Sequence, residues 1–174
     1  NKCVEKKLIS HNPTNGIRLS QFDEVTKEIL TLKEIQKLAV TSCPNNEVKR
    51  AFLFSCYCGL RWCDVYQLRY KDVDFPARRL TIIQQKVQTH SKSAILHLNL
   101  NHTALKLLQK CNGDREDLVF SLPSYSYTIR ILRKWVIDAT IRKHITFHCA
   151  RHSFITNIMA NGANIKTAAS LAGH

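Results

Sequence analysis

The sequence lacks several patterns that would assign it to common protein classes. No apolar run approaches the roughly 18 residues of a membrane-spanning helix, and the first stretch, NKCVEKKLIS, has no apolar segment of the kind found in secretion signals. No alternating series of strands and helices indicates a parallel doubly wound sheet, and no internal repeat is present. These absences favour one globular domain that does not act in a membrane.

The cysteines form no recognisable framework. There are 7 of them, an odd number, with no CxxC pair and no regular spacing, which argues against a zinc ribbon or a set of disulfides. Several lie in apolar surroundings, as in FLFSCYCGL, where a free cysteine acts as a small hydrophobic residue. We therefore predict free thiols and a cytoplasmic protein.

Acidic residues are also few. The chain has 13 of them against 26 lysines and arginines, which gives a formal charge of +13 and a pI of about 9.7. Such an excess favours a polyanionic partner, most simply nucleic acid. A basic surface that only keeps the protein solvated remains the alternative.

The positions of turn-forming residues and the periodic spacing of apolar residues divide the chain into two parts. Residues 1–29 mix charge with His-Asn-Pro and Asn-Gly and follow no sustained period, so we predict that they are the end of another domain and a linker. From residue 30 to 174 the periods are clear. Thr31 and Glu34 form a capping box before the first confident helix, which is expected to run to about Ser42.

Further helices and one hairpin complete the expected fold. A buried helix is expected from an Asn cap near residue 45 to Gly59, and a short one directly after Arg61. The β-rich runs LTIIQQKV and SAILHLNL predict a hairpin. Three more helices are expected over residues 101–113, 126–143 and about 147–161, followed by a last short one. The predicted fold class is mainly α with a small antiparallel sheet (α+β).

Three histidines recur every four residues near the end of the chain. A helix would place His144, His148 and His152 on one face, which raises the possibility of a zinc site. However, HCARH has an alanine where the HExxH metal motif has glutamate, and KHITF is more typical of extended chain than of helix. We therefore predict no metal site and no cofactor.

Three short stretches each place a cationic or hydrogen-bonding residue beside a glycine corner or a helix start. They are CGLRW, HCARH and LAGH, and they contain Arg61, His148, Arg151 and His174. A phosphodiester under attack gains negative charge, which fixed guanidinium groups stabilise without reorganisation. Arginine suits this task because its planar fork donates two N–H groups to phosphate oxygens. We predict that these residues converge on one phosphate.

In these motifs the chain from about residue 30 to 174 resembles the tyrosine recombinase, or phage integrase, family. CGLRWCDVYQLRYKDVDF matches the family's TGLR element and the short xxDLxxLxWxDI helix after it, with Cys58 in place of threonine. HCARHSF matches HxxRH-(S/T)-F, and SLAGH differs from LLGH by one alanine. Within the family, the integrases of conjugative transposons and other mobile elements are the most similar. The resemblance implies the catalytic-domain fold of DNA breaking-rejoining enzymes.

The resemblance also assigns roles to residues. It implies that Arg61 and Arg151 are the two catalytic arginines, and that His148 and His174 donate hydrogen bonds to the phosphate or transfer protons. His152 is expected to support the site without taking part in the chemistry.

The family's catalytic lysine lies in or beside the hairpin and acts as the general acid on the leaving 5′ oxygen. The stretch QQKVQTHSK offers two lysines. We prefer Lys86, because it follows an extended strand, and keep Lys92 as the alternative.

The family's nucleophile is a tyrosine about nine residues after the last histidine. The chain ends at that histidine, so we expect a fragment that binds DNA and does not cleave it. The resemblance implies that the complete protein cleaves and rejoins double-stranded DNA through a 3′-phosphotyrosine and integrates and excises a mobile element. It also implies a homo-tetramer on DNA, whereas a monomer is compatible with the fragment. A DNA-binding module without catalysis is the alternative.

Overall fold

The structure is a computed structural model that describes residues 2–12, 28–83, 95–111 and 113–172. The elements in these ranges are mostly helical. In chain order they are α1 (Lys2–Glu5), α2 (Leu32–Val40), α3 (Asn46–Cys58), α4 (Trp62–Tyr66), a 3-10 turn (Tyr70–Asp72), β1 (Val73–Asp74), β2 (Arg79–Ile83), β3 (Ile95–Asn99), α5 (His102–Leu108), α6 (Tyr125–Asp138), α7 (Phe147–Ala160) and α8 (Ile165–Ala172). None of the helices in the described ranges has the length and hydropathy that crossing a bilayer requires.

Local sequence signals set the ends of α2 and α3 as predicted. The Thr31 side chain accepts a hydrogen bond from the Glu34 backbone, and the Glu34 carboxylate accepts one from the Thr31 backbone. The Asn45 side chain caps α3, and Gly59 ends it in the left-handed conformation, with φ of 72°.

Two helix ends differ from the prediction for tertiary reasons. Helix α5 ends at Leu108, well before Gly113, because the Arg50 guanidinium donates to the carbonyl groups of Leu107 and Leu108 at 3.1 Å. Helix α6 ends at Asp138, where the chain turns so that Ile141 is buried in the core. Ile137 continues the helical spacing of apolar residues in the sequence but lies at this helix end and is 71% exposed.

The three strands form an antiparallel sheet in the order β1-β2-β3. In β2 and β3 buried and exposed residues alternate, so that Leu80 faces Leu98 and Ile82 faces Leu96 on the buried side. The predicted class, mainly α with a small antiparallel sheet, is confirmed.

Helix α3 forms the centre of the core. Every residue from Ala51 to Cys56 is buried, and the helix packs against α7, α5 and α6. The Phe52 ring makes edge-to-face contacts with Trp135 of α6 and Phe147 of α7. The cysteines at 43, 56, 58, 63, 111 and 149 are free thiols.

The junction between the two predicted domains is attached to α7. The Leu30 backbone N–H donates to Ser153 Oγ at 2.7 Å, and Asn157 Nδ2 donates to the Leu30 carbonyl at 3.0 Å. Ser153 is buried and also donates to the Cys149 carbonyl. Leu30 itself is fully buried, so the start of the predicted 30–174 domain is fixed to α7.

Candidate active site

The corner between α3 and α4 holds Arg61 at the start of α4. Arg61 is the N-terminal cap residue of α4, two positions after Gly59. Ser55 Oγ donates to the Leu60 carbonyl at 2.7 Å and so closes the corner. A Cβ atom at Gly59 would lie 2.5 Å from Cδ1 of Phe154 on α7, so both the left-handed backbone and the close approach of α7 require glycine.

Arg151 lies in the second turn of α7, inside the protein. Its side chain is only 3% exposed, and Nη1 donates to the Gly59 carbonyl at 2.8 Å, so it ties α7 to the corner that carries Arg61. Burial lowers the pKa of the Arg151 guanidinium to about 10, and the charge of Arg61 acts in the same direction. At neutral pH the site therefore holds two neighbouring cations that are partly removed from water.

Asp64 is a further charged residue of this site, which the sequence analysis did not assign. It lies in the first turn of α4 and is 7% exposed. Burial raises the pKa of its carboxyl, while the charges of Arg61 and Arg151 oppose that shift. Within the described part of the chain, its Oδ2 has no hydrogen-bond partner. Its place in RWCDVYQL, at the aspartate of the family's xxDLxxL pattern, was the signal that could have found it.

Cys58, which stands where the family has threonine, is the last residue of α3 and is buried. Burial raises the pKa of its thiol to about 12. The group is therefore neutral at physiological pH, and the departure from the family's pattern adds no charge to the site.

The two histidines of HCARH lie within the first two turns of α7. His148 is exposed and shares a pocket wall with Arg61, whereas His152 is partly buried behind it. Their rings meet edge to face, with centroids 4.5 Å apart. This arrangement is compatible with the supporting role predicted for His152, which remains a prediction.

The pocket at this corner has a volume of about 490 Å³. It is lined by Arg61, Trp62, Cys63, Tyr125 and His148. The structure thus brings Arg61, Arg151 and His148 into one region, as the motifs predicted. Trp62 and Tyr125 were not predicted as part of it, because they come from different helices and the roles implied by the motifs concern charged and hydrogen-bonding residues only.

The other predicted site residues lie outside the described residues. Lys86 and Lys92 belong to the interval 84–94, which begins directly after β2 ends at Ile83. His174 is the last residue of the chain, beyond the described end of α8.

His144 does not share a helix with the other two histidines. It precedes the start of α7 at Phe147, and its Nε2 lies 3.4 Å from Nη2 of Arg133. In the ranges that the structure describes, no three His, Cys, Asp or Glu residues are grouped as metal ligands would be.

The chain is similar to known proteins. Curated relatives include a tyrosine recombinase of Pseudothermotoga lettingae, 31% identical over 94% of this chain and 58% of the relative. The tyrosine recombinase XerC of Oceanobacillus iheyensis is 27% identical over 95% of the chain and 59% of its own length. The chain therefore spans somewhat more than half the length of the curated relatives it matches.

Solved structures share the fold. The integrase of mycobacterium phage Brujita has a TM-score of 0.71 at 18% identity, with 99% of this chain and 58% of that chain covered. The Tn1549 transposon integrase, solved in complex with transposon right end DNA, has a TM-score of 0.74 at 18% identity, with 99% and 66% covered. At such identities the likeness establishes the fold alone.

The decisive comparison is with the family as a whole. The phage integrase family matches residues 28–174, which is most of the chain and includes each motif of the candidate site. The chain belongs to the phage integrase family.

Proposed function

We propose that this chain is the catalytic part of a tyrosine-type, site-specific DNA recombinase, whose complete form integrates and excises a mobile element. The observation that carries the proposal is the convergence of Arg61, Arg151 and His148 at one corner, with Arg61 and His148 on the wall of an open pocket. Membership of the phage integrase family favours this function over a DNA-binding module without catalysis.

The chemistry follows from the charge of the site. The tyrosine hydroxyl gives up its proton as its oxygen bonds to the phosphorus, and the non-bridging oxygens gain negative charge before the bond to the 5′ oxygen breaks. Arg61 and Arg151 are already held in place by α4 and α7, so they stabilise that charge without reorganising. His148 lies on the same wall and donates a further hydrogen bond.

The new 3′-phosphotyrosine bond keeps the energy of the phosphodiester. Rejoining is the reverse step, in which a 5′ hydroxyl attacks the phosphorus and the tyrosine leaves. We propose that this cycle needs no metal or cofactor, since the arginines supply the positive charge and the covalent link supplies the energy. The nucleophilic tyrosine is expected beyond residue 174.

Two residues outside the described ranges complete the proposed site. Lys86, or in the alternative Lys92, protonates the leaving 5′ oxygen, and His174 donates a further hydrogen bond to the phosphate. Both assignments rest on the family's motifs.

The proposed partner is double-stranded DNA. The formal charge of +13 favours it, and the structurally similar Tn1549 integrase was solved in complex with transposon right end DNA. We further propose that the complete protein acts as a homo-tetramer on DNA, with residues 1–29 joining the 30–174 catalytic domain to a preceding DNA-binding domain.

The test is to trap the covalent intermediate. The complete parent protein is incubated with its attachment-site duplex, nicked so that the cleaved strand cannot be rejoined, and the products are separated under denaturing conditions. A protein–DNA species that disappears in Arg61→Ala supports the proposal, with a scrambled duplex as control. Binding to the duplex without any covalent species would establish the non-catalytic alternative instead.

The lysine can be identified by changing the leaving group. A sulfur at the 5′ bridging position leaves without protonation, so it should restore cleavage to a variant that lacks the general acid. We expect rescue of Lys86→Ala and no need of rescue in Lys92→Ala. The opposite pattern would assign the acid to Lys92.

A further inference from the structure

A row of aromatic rings in contact extends from the core to the pocket. Trp135 and Phe52 lie 6.0 Å apart between ring centroids, Phe52 and Phe147 5.6 Å, Phe147 and Trp62 4.9 Å, and Trp62 and Tyr125 5.2 Å. The first three rings are fully or almost fully buried, whereas Trp62 is half-buried and Tyr125 is 45% exposed. The last rings of this row, Trp62 and Tyr125, are therefore exposed to solvent beside Arg61.

Trp62 and Tyr125, called here the aromatic wall, line the pocket together with charged and polar groups. The remaining lining residues are Arg61, Cys63 and His148, so the pocket combines a guanidinium cation with two aromatic rings. A volume of about 490 Å³ lies within the range of small-molecule sites, which is more space than a phosphate alone requires.

We propose that the aromatic wall receives the nucleoside attached to the phosphate that Arg61 and Arg151 hold, so that its deoxyribose or base packs against Trp62 and Tyr125. The inference rests on the proposed function, which supplies the phosphate. Charge complementarity places the phosphate beside Arg61, and the pocket has room for the attached nucleoside next to it, where Trp62 and Tyr125 supply the apolar part of the lining. Aromatic rings suit this contact because they stack on bases and on apolar sugar faces irrespective of sequence.

The wall is held rigidly for this role. Trp62 packs edge-on against Phe147 and tilts on Tyr66, with centroids 5.4 Å apart, so two of its neighbours fix the ring while the pocket side stays open. Phe147 directly precedes His148, and Trp62 directly follows Arg61. The same contact that orients the wall therefore sets the spacing of the two phosphate-binding groups.

The fluorescence of Trp62 provides a direct test. The protein has 2 tryptophans, and Trp135 is 0% exposed, so a soluble quencher such as acrylamide reports mainly on Trp62. We expect binding of a short DNA duplex to reduce acrylamide quenching of Trp62 about twofold or more, as stacking would. In Trp62→Phe, which leaves Trp135 alone, DNA should change the quenching little.

Affinity provides the second measurement. Trp62→Leu should weaken duplex binding about tenfold, and Trp62→Phe, which keeps a ring, much less. Because no charge is lost, the dependence of affinity on salt should keep its slope in both variants. Circular dichroism and thermal melting establish that each variant is folded before binding is compared.

The outcomes separate the inference from the function on which it rests. If DNA binds and Trp62 remains equally accessible to acrylamide, or if Trp62→Leu binds as tightly as the original protein, the wall does not contact the nucleoside. Trp62→Leu could bind DNA more weakly although DNA does not protect Trp62 from acrylamide in the original protein. That result would show a purely structural role of Trp62 and would also overturn the proposed nucleoside contact. Failure of the unmodified chain to bind any duplex at low salt would overturn the proposed function, and the inference with it.

Discussion

Arg61 and Arg151 are the same residue type in the same site, but their surroundings differ. Arg61 is partly exposed on the wall of an open pocket, at the cap position of α4, where its backbone is hydrogen-bonded to the Asp64 carboxyl. Arg151 is 3% exposed and donates to the Gly59 carbonyl, so it holds two helices together. One arginine is positioned by the scaffold, and the other is part of the scaffold.

The difference has an electrostatic consequence. Burial lowers the pKa of Arg151 to about 10, which leaves it charged at neutral pH but poorly hydrated. A poorly hydrated cation acts strongly on a nearby anion, since little solvent screens the interaction. The four changes below test how far the two arginines differ, beginning with the largest expected effect.

Arg151→Ala should destabilise the protein most. It leaves the buried Gly59 carbonyl without its donor and removes one of the two cations that act on Asp64, the other being Arg61, so we expect a loss of about 4 kcal/mol in the free energy of unfolding. Denaturant unfolding followed by circular dichroism measures it. Arg151→Lys, which keeps the charge and one donor, should lose about half as much. An Arg151→Ala variant as stable as the original protein would show that Arg151 has no structural role.

Gly59→Ala tests the corner that both arginines share. The new Cβ would lie 2.5 Å from Phe154 at a residue with φ of 72°, so we expect a loss of about 3 kcal/mol. Gly162→Ala is the matched control, because its φ is also positive, at 94°, but nothing lies within 4 Å of the added atom. That control should lose about 1 kcal/mol, from the backbone alone. Equal losses in thermal melting would show that Phe154 moves aside freely.

Asp64→Asn tests the Asp64 carboxylate, on which the charges of both arginines act. Burial raises the pKa of Asp64 above its ordinary 3.8, so ionisation is less favourable in the folded protein than in the unfolded chain. Its contribution to stability is therefore greatest below pH 3.8 and falls as the pH rises to just above the folded pKa, beyond which it is constant. We expect Asp64→Asn to lack this fall and to change stability at neutral pH by less than about 1 kcal/mol.

The measurement for Asp64 is the difference in unfolding free energy between the original protein and Asp64→Asn across the acid range. Taking the difference cancels the titration of the other carboxylates. A difference that rises with pH would mean that Asp64 is stabilised as an anion, and that its attraction to the arginines outweighs burial.

Arg61→Ala should change stability least, by less than about 0.5 kcal/mol, because its side chain is partly exposed and because the lost attraction to Asp64 is offset by the relieved repulsion from Arg151. Its effect should appear in DNA binding, where the slope of log affinity against log salt falls by about 1. Titrations at several salt concentrations measure that slope. A melting temperature lowered as far as in Arg151→Ala would abolish the distinction between the two arginines.

The parts predicted from sequence are those encoded by neighbouring residues. The Thr31–Glu34 capping box and the Gly59 helix end depend on short spacings, and the family's motifs identified Arg61, His148 and Arg151. Such signals survive in a single sequence because their partners lie within a few positions.

What could not be predicted depends on contacts between distant segments. The hydrogen bond from Arg151 to the Gly59 carbonyl spans 92 positions, and it gives Arg151 a structural role that the motif did not predict. Helix α5 ends early because Arg50, more than 50 positions away, donates hydrogen bonds to the last carbonyl groups of the helix. The aromatic wall likewise joins α4 to α6, which no local period connects.

The attachment of Leu30 to α7 has a mechanical meaning. Leu30 begins the predicted catalytic domain, and its backbone N–H and carbonyl are both hydrogen-bonded to α7, one of them to Ser153, two positions after Arg151. A force on the chain ahead of Leu30 therefore acts directly on the helix that carries Arg151 and His148. If the parts of the protein before and after Leu30 both bind DNA, a change in the angle between them would exert a torque on α7. That torque would act on the helix that carries the phosphate site.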